Sequence, residues 1–314
     1  MPNVARAHHF VPDFLLAGFT PAGSKDDFLW ASDLQTGKQW NTKPKNVAHR
    51  RDFYRVDVPG LDPNAIESGL STIEGQASGV ISEVLKTHAM PSGDDYLILM
   101  NFLALMHVRV PRARDSMNQS VDIVSKHLLK TDLRDQSTWK ARVEAACEAR
   151  PDIGEAPSYD CMKAALEESR YSFVAEQNWH IRSMLELMER LTPCFTARAW
   201  CLAISNSGGF ISSDCPVSVS FTTQKAAMDS PALMREDTEI TFPLSRNVLL
   251  VGSWERFAFE KMGFDQRYIA LCNSITARRS QRFLFSSTKD FCWLDDKGNV
   301  RYELGPLARS AAGK

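Results

Sequence analysis

The chain has 314 residues, with 37 basic and 38 acidic side chains and a formal net charge of −1. Apolar residues make up 44% of it and charged residues 24%, a balance typical of soluble globular proteins that excludes a disordered chain or a fibrous repeat. The even charge argues against a generally basic nucleic-acid coat. Composition therefore predicts a folded protein of one large or two ordinary domains and leaves its activity open.

Neither a targeting segment nor a membrane span is visible in the sequence. The longest apolar stretch, residues 96–110, is interrupted by Asn101 and His107 and falls short of the roughly 20 residues that cross a bilayer. The seven cysteines are widely spaced and contain no Cys-x-x-Cys pair, so no zinc ribbon or thioredoxin-type motif is indicated. We expect reduced cysteines, most of them in the core, in a cytoplasmic protein with no membrane partner.

The N-terminal part, residues 1 to about 60, predicts two short strands. Residues 28–31 form the first, a turn follows at Gly37-Lys38, and the second lies around residues 39–40. A turn at residues 58–60 closes this part. We expect these strands to dock on the rest of the chain.

The central part, residues 61–193, is predicted to be helical. Apolar residues within 66–84 recur at steps of three and four, which indicates a helix that starts at Asp62-Pro63. The next helix, residues 94–110, is apolar almost all round, so it should be buried and should end at Pro111. Further helices are predicted over residues 115–130, 136–149 and 158–192.

The C-terminal part, residues 194–314, mixes strands and a helix. A helix is predicted over 266–282, and residues 283–285 return to the sheet. Helices first and strands later indicate the α+β class. We therefore predict one compact body and a single domain over 1–314. The predicted strands of this part cover residues 196–204, 217–221, 240–242 and 248–251.

Two adjacent histidines stand at the start of the run His8-His9-Phe10-Val11-Pro12. Imidazole is the commonest metal ligand and a general base near neutral pH. The run is similar to the first half of the His-Asn-His nuclease motif. Asn46 and His49 are the nearby candidates for the second half, although their spacing does not fit it well. A segment whose histidines only bond to backbone is the open alternative.

Three ionisable residues of the helical part are further candidates. Glu67 and Glu74 lie seven apart, on nearly the same face at the border of the apolar stripe. They would bind a divalent metal or serve as acid and base; the alternative is a solvated helix flank. Arg109 interrupts a buried helix and needs a partner. With Arg112 it would hold an anionic substrate, or it would pair with a carboxylate for structural reasons.

Asp214 lies in the run Ser212-Ser213-Asp214-Cys215-Pro216 between two predicted strands. Loops at strand ends commonly carry site residues, so Asp214 is a candidate metal ligand or an orienter of His8 or His9. The alternative is an Asx-type turn before the proline.

Two groups of basic residues would contact phosphates or form solvated faces. One is the helix end that carries Arg278, Arg279 and Arg282. The other is the cluster of Lys43, Lys45, Arg50 and Arg51.

In order along the chain, several stretches resemble the bacterial and fungal family known as domain of unknown function 4238. The resemblance implies one domain over nearly the whole chain but gives no activity. It singles out His8, His9, Glu67, Glu74, Arg109 and Asp214 as one constellation. Cys215 stands where asparagine would be expected in the Ser-Asp-x-Pro motif. The stretches are residues 8–12 with Phe14, Leu15 and Phe19, residues 52–54, Ile66-Glu67 with Ile73-Glu74, Arg109 with Pro111, residues 211–217, residues 242–245, and Asn273.

These residues predict a metal-dependent hydrolase of an anionic substrate, nuclease-like if that substrate is a phosphodiester. The substrate would be a small-molecule or nucleic-acid phosphate. The catalytic candidates are His8, His9 and Arg109. The candidate ligands of a divalent metal ion are His9, Glu67, Glu74 and Asp214.

Two other classes of function stay open at this point. One is a non-catalytic binding or regulatory module in which the same residues form a structural network. The other is a non-haem metal redox enzyme. That enzyme ranks lower, because two adjacent histidines do not readily face one ion.

Overall fold

Helices fill the middle of the chain, and most strands lie before and after them. The computed structural model describes residues 6–152, 154–168, 171–223, 231–258 and 261–312. The helices are α1 (Asp13–Ala17), α2 (Ala65–Thr87), α3 (Gly93–Val108), α4 (Pro111–Asp132), α5 (Gln136–Ala149), α6 (Tyr159–Glu167), α7 (Gln177–Thr196), α8 (Gln266–Arg279) and α9 (Leu304–Ala312). A 3-10 turn spans Pro44–Asn46.

The strands of the described residues pair into four sheets. They are β1 (Ala7–His9), β2 (Leu29–Asp33), β3 (Gln39–Thr42), β4 (His49–Arg51), β5 (Ala199–Ile204), β6 (Ser212–Ser213), β7 (Ser218–Phe221), β8 (Thr238–Pro243), β9 (Val248–Ser253), β10 (Lys261–Gly263), β11 (Phe283–Ser286), β12 (Trp293–Leu294) and β13 (Val300–Arg301). Segregated helices and mainly antiparallel strands confirm the α+β class.

The largest sheet has the order β10-β5-β9-β8-β7, and only the β10–β5 pair is parallel. Every residue of β9 is buried, as expected of a strand covered on both faces. A second sheet has the order β3-β2-β11-β6. In it Phe283 pairs with Asp33, which confirms that the N-terminal strands dock on the rest and that residues 283–285 return to a sheet.

Helices α2 and α3 supply much of the main core. Helix α3 buries residues around almost its whole circumference, as its apolar sequence predicts. Helix α2 is amphipathic and buries one stripe, which consists of Leu70, Ala77, Val80, Ile81 and Val84. The two candidate glutamates of α2 lie beside this stripe and are partly buried.

Two predicted helix boundaries are wrong. Helix α2 begins at Ala65, because Asp62 and Pro63 form the preceding turn, in which Asp62 Oδ1 accepts the N–H of Asn64 at 2.9 Å. Pro111 does not simply end a helix but opens α4. Proline suits the first helical turn, where its missing N–H has no intrahelical acceptor to lose.

The predicted continuous helix over 158–192 is also wrong, since α6 and α7 are separate helices. Between them the backbone N–H of Phe173 donates to Asp122 Oδ1 at 2.8 Å, and that of Ala175 donates to Asn118 Oδ1 at 3.1 Å. These side chains of α4 replace the carbonyl acceptors that a helix would provide. The apolar periodicity of the sequence cannot reveal this competition.

The chain forms two compact units. One contains the described residues up to Arg112 and from Ile181 onward, and the other is Ala113–His180. All strands of the described residues and all candidate site residues belong to the first unit. The single domain over 1–314 therefore stays a prediction.

Two expectations about the chemistry of the chain can be compared with the described residues. No helix among them is both long and apolar enough to span a membrane. The thiols of all seven cysteines are free, and five of them are buried, as predicted.

Candidate functional site

Strand pairing positions the two adjacent histidines. Strand β1 runs antiparallel to β4, so that His9 lies opposite His49 and their rings meet edge to face at 5.3 Å. Successive side chains of a strand point to opposite faces. His8 is accordingly fully buried, whereas His9 is only partly buried. One site can therefore use one of the two histidines.

His8 fixes the backbone that follows β4. Its Nδ1 accepts the N–H of Tyr54 at 2.8 Å, and its ring stacks on the Tyr54 ring at 5.9 Å between centroids. Because that nitrogen accepts, the proton of the neutral ring lies on the other nitrogen. This geometry favours a positioning role for His8 over the catalytic role predicted for it.

Strained backbone flanks β4 on both sides. Ala48 has φ 54° and Asp52 has φ 55°, both in the left-handed region that residues other than glycine rarely adopt. The Ala48 carbonyl accepts the N–H of Phe10 at 2.9 Å, and the Asp52 N–H donates to the Arg6 carbonyl at 2.8 Å. The turns thus hold β4 tightly against β1, next to the candidate residues.

Arg109 is the centre of a buried polar network and is 1% exposed. Its Nη1 donates to Glu74 Oε1 at 2.7 Å, its Nη2 donates to the His9 carbonyl, and its Nε donates to the Tyr54 hydroxyl at 3.3 Å. That hydroxyl in turn donates to the Arg109 carbonyl at 3.0 Å. The guanidinium ties β1, the segment after β4 and α2 together, and its contacts are with protein groups, which favours positioning over substrate binding.

The two glutamates of α2 lie in different environments, although both interact electrostatically with Arg109. Glu74 is the ion-pair partner of Arg109. Glu67 has one buried carboxyl oxygen, Oε2, with no hydrogen-bond partner among the described residues. Burial raises the pKa of Glu67 to about 7, with Arg109 opposing the rise and Glu74 adding to it. A carboxyl that titrates near neutral pH suits proton transfer.

His9 completes the cluster. Burial lowers the pKa of its imidazole, the bond to the Lys45 carbonyl opposes that change, and His49 adds to it. The Nε2 atom of His9 lies 3.1 Å from that carbonyl oxygen. Because the pKa of the ring is lowered from its ordinary value, the ring is neutral at pH 7. The chain thus brings a neutral imidazole into the electrostatic neighbourhood of Glu74.

Asp214 is held elsewhere, by the start of β11. Its Oδ1 accepts the N–H of Gln281 at 2.8 Å, and its Oδ2 accepts those of Arg282 and Phe283 at 2.8 and 2.9 Å. Burial raises the pKa of this carboxyl, and the three N–H groups oppose the rise. Both oxygens are engaged in fixing a strand, which favours a structural role for Asp214, and the metal-ligand role predicted for it stays a prediction.

The metal-binding and nuclease predictions find limited geometric support. Within the described parts of the chain, no group of three or more His, Cys, Asp or Glu side chains is arranged to hold a metal ion. The second half of a His-Asn-His motif should lie on a helix, but Asn46 belongs to a 3-10 turn and His49 to β4. His49 nevertheless contacts His9, which the sequence did not predict.

The two groups of basic residues predicted from the sequence differ in their partners and exposure. Arg282 forms a two-pronged pair with Asp33, at 3.0 and 2.8 Å, and so has a structural partner. Lys45, Arg50 and Arg51 are exposed beside the His9–His49 contact. The second group therefore places positive charge near the polar cluster.

Sequence reasoning missed the role of Tyr54. Its hydroxyl joins Arg109 and its backbone binds His8. The residue lies in the Asp52-Phe53-Tyr54 stretch that carries part of the family resemblance, which was the only available signal. Asp13 was missed as well; it forms an ion pair with Lys25 at 2.8 Å and interacts electrostatically with His9.

Comparison with known families confirms the family resemblance found in the sequence. The sequence profile of a family described as "Protein of unknown function (DUF4238)" matches residues 7–290. The chain belongs to this family. No curated protein and no solved structure matches it.

Proposed function

We propose that this protein is a hydrolase of an anionic ester, in which Glu67 is the general acid–base group. The single observation that supports this most is the partly buried Glu67 carboxyl. One of its oxygens lacks a partner among the described residues, and its pKa lies near 7 beside the Arg109–Glu74 pair. Paired carboxyls in contrasting environments are typical of acid–base sites.

In this proposal Glu67 moves the proton. Water attacks the electrophilic atom of the ester, and its proton passes to the Glu67 carboxylate. The bond to the leaving oxygen breaks with its electron pair on that oxygen, which takes the proton back from Glu67. The network of Arg109, Tyr54 and Glu74 fixes the helix that presents Glu67, so these are positioning residues. His9, with its neutral ring, orients the water.

An anionic substrate is proposed because basic side chains adjoin the cluster. Lys45, Arg50 and Arg51 are exposed on and before β4, which pairs with the strand that carries His9. Such charges attract phosphates and concentrate them near the site. A phosphodiester, in a small molecule or a nucleic acid, is the substrate class that this surface fits best.

A divalent metal ion is a further part of the proposal that the same assay tests. Glu67 and His9 would be its ligands, and the ion would polarise the substrate. The positive charge of Arg109 lies close to these groups and opposes a cation. Acid–base chemistry by the protein's own groups is therefore the form that the geometry favours.

The first experiment measures hydrolysis of bis(p-nitrophenyl) phosphate by the full chain, with manganese and with a chelator. We expect Glu67→Gln to lower turnover by about a hundredfold or more, since an amide cannot transfer the proton. The matched control is Glu83→Gln, an exposed residue of the same helix. Equal loss in both variants, or full activity of Glu67→Gln, would contradict the proposal. Activity that persists in the presence of the chelator would show that the reaction needs no metal ion, and the metal would then be dropped from the proposal.

A non-catalytic module is the second candidate function, and one observation favours it. Arg109 joins three separate segments through buried bonds, as a purely structural network would. Under this alternative Glu67→Gln folds normally and the wild type hydrolyses no phosphoester.

A further inference from the structure

A cavity of about 340 Å³ lies beside the C-terminal end of α8, in the larger of the two compact units. This volume is in the range of cavities that hold small organic ligands. Its lining includes the basic residues Arg112 and Arg278 and the apolar residues Trp293 and Leu307. The cavity uses none of the residues of the proposed hydrolytic site.

Three arginines lie close together here, and only one carboxylate, that of Asp296, is among the described residues that line the cavity. Arg112, Arg278 and Arg279 form no ion pair among the described residues, whereas Arg282 nearby is held by Asp33. Burial lowers the pKa of Arg279, and the charges of Arg112 and Arg278 lower it further. Like charges held together repel, so an anion placed among them would be stabilised by all three.

Contacts within the fold stabilise only part of this clustered positive charge. Arg112 Nη1 donates to the Arg279 carbonyl at 2.5 Å, and the negative end of the α8 dipole attracts the basic residues of its last turn. A guanidinium carries five N–H donors. This one bond leaves further donors of Arg112, and those of Arg278, for a ligand in the cavity.

The cavity also has apolar lining residues. Trp293 is buried, and its Nε1 donates to the Glu303 carbonyl at 3.1 Å, which fixes the plane of the indole. Leu34 and Leu307 also line the cavity. Asp296 supplies the one carboxylate among the described lining residues. A ligand that fits therefore has an anionic end for the arginines and a planar apolar end for the indole.

We propose that this cavity binds a phosphomonoester with a planar apolar group, its phosphate on Arg112 and Arg278 and its apolar group beside Trp293. A doubly charged phosphate matches the two guanidinium groups that line the cavity, with the charge of Arg279 close by, better than a single carboxylate does. The site would serve as a second, separate binding site of the protein, which goes beyond the proposed hydrolytic function.

Calorimetric titration and thermal melting of the full chain with phenyl phosphate test this inference. Inorganic phosphate, phenol and benzoate are the comparison probes. We expect phenyl phosphate to bind the wild type more tightly than each of the three. The variants Arg112→Gln and Arg278→Gln should bind it at least about tenfold more weakly. Arg182→Gln, an exposed arginine of α7, is the matched control and should bind as the wild type does.

Several results would overturn the inference. These are no binding of phenyl phosphate to the wild type, unchanged affinity in both variants, or an equal loss in the control. Inorganic phosphate or benzoate that binds as tightly as phenyl phosphate would also overturn it. Arg278 is exposed, and its side chain forms no hydrogen bond or ion pair among the described residues. Its variant therefore tests the site even if Arg112→Gln folds poorly.

Discussion

At the residue scale, the contrast between Glu67 and Glu74 arises from partners rather than from position in the helix. Both lie at the border of the same apolar stripe, but Arg109 directs its Nη1 to Glu74. The Oε2 atom of Glu67 is buried and accepts no hydrogen bond within the described residues. Burial of a carboxyl without a donor favours its neutral form.

A pH dependence of stability follows from this contrast. The pKa of Glu67 rises from 4.5 to about 7 on folding, so the folded state binds more protons than the unfolded state between these values. Stability therefore falls as the pH rises from about 4.5 to about 7, and the contribution of Glu67 is constant outside that window. Relative to Glu67→Gln, the wild type should lose stability across the window.

Urea unfolding of both proteins at a series of pH values measures this difference. Glu83→Gln serves as the control, since Glu83 is exposed on the same helix. If the stabilities of the wild type and Glu67→Gln run parallel from acid to neutral pH, the raised pKa of Glu67 is refuted.

The Arg109–Glu74 pair gives a second prediction at this scale. Arg109→Met should lower the free energy of unfolding by about 3–5 kcal/mol, because it leaves a partly buried carboxylate without its cation. Adding Glu74→Leu should recover much of the loss, since the unpaired charge is then removed. Chemical unfolding of the two single variants and the double variant measures the coupling.

The exposed pair Lys86–Glu83, at 3.7 Å on the same helix, is the control. Lys86→Met should change stability by less than about 1 kcal/mol. An Arg109→Met variant as stable as Lys86→Met would show that the buried network contributes little to the fold.

At the element scale, individual helices and strands differ widely in how much of each is buried. No residue of α5 or α6 is buried. Every residue of β9 is buried, and β9 pairs with β5 on one side and β8 on the other. Local opening is easiest where few apolar contacts are lost.

Amides of α5 and α6 should therefore exchange with solvent at least about tenfold faster than those of β9, after correction for intrinsic rates. Native-state hydrogen exchange read by mass spectrometry at one pH and temperature measures this. Helix α3, which is helical but buried, is the internal control for helical structure itself. Equal protection of α5, α6 and β9 would contradict the prediction.

At the scale of the whole molecule, tertiary contacts decide which sequence motifs meet. His9 and Glu74 are far apart in sequence, and Arg109 joins them through the His9 carbonyl and the Glu74 carboxylate. The Ser-Asp-x-Pro motif meets the start of β11 instead, where the Asp214 carboxylate accepts three backbone N–H groups. Residues of one family pattern thus take part in two different sets of contacts, one around Arg109 and one at the start of β11.

The sequence by itself determined the elements whose signal is local. Apolar periodicity gave the α5 range of residues 136–149 and the buried character of α3. Patterning also predicted the strands that became β5, β8 and β9 and the return of residues 283–285 to a sheet. The pairing of Arg109 with a carboxylate was one of the two alternatives that the sequence left open, because a buried cation requires a partner.

Only the tertiary structure decided which partner each polar group takes. The break between α6 and α7 depends on side chains of α4, and the role of Tyr54 depends on contacts across 55 positions of the chain. The bonds of the Asp214 carboxylate to the backbone N–H groups of residues 281–283 are of the same kind. Such bonds are selected by three-dimensional proximity, which periodicity and spacing along one chain do not encode.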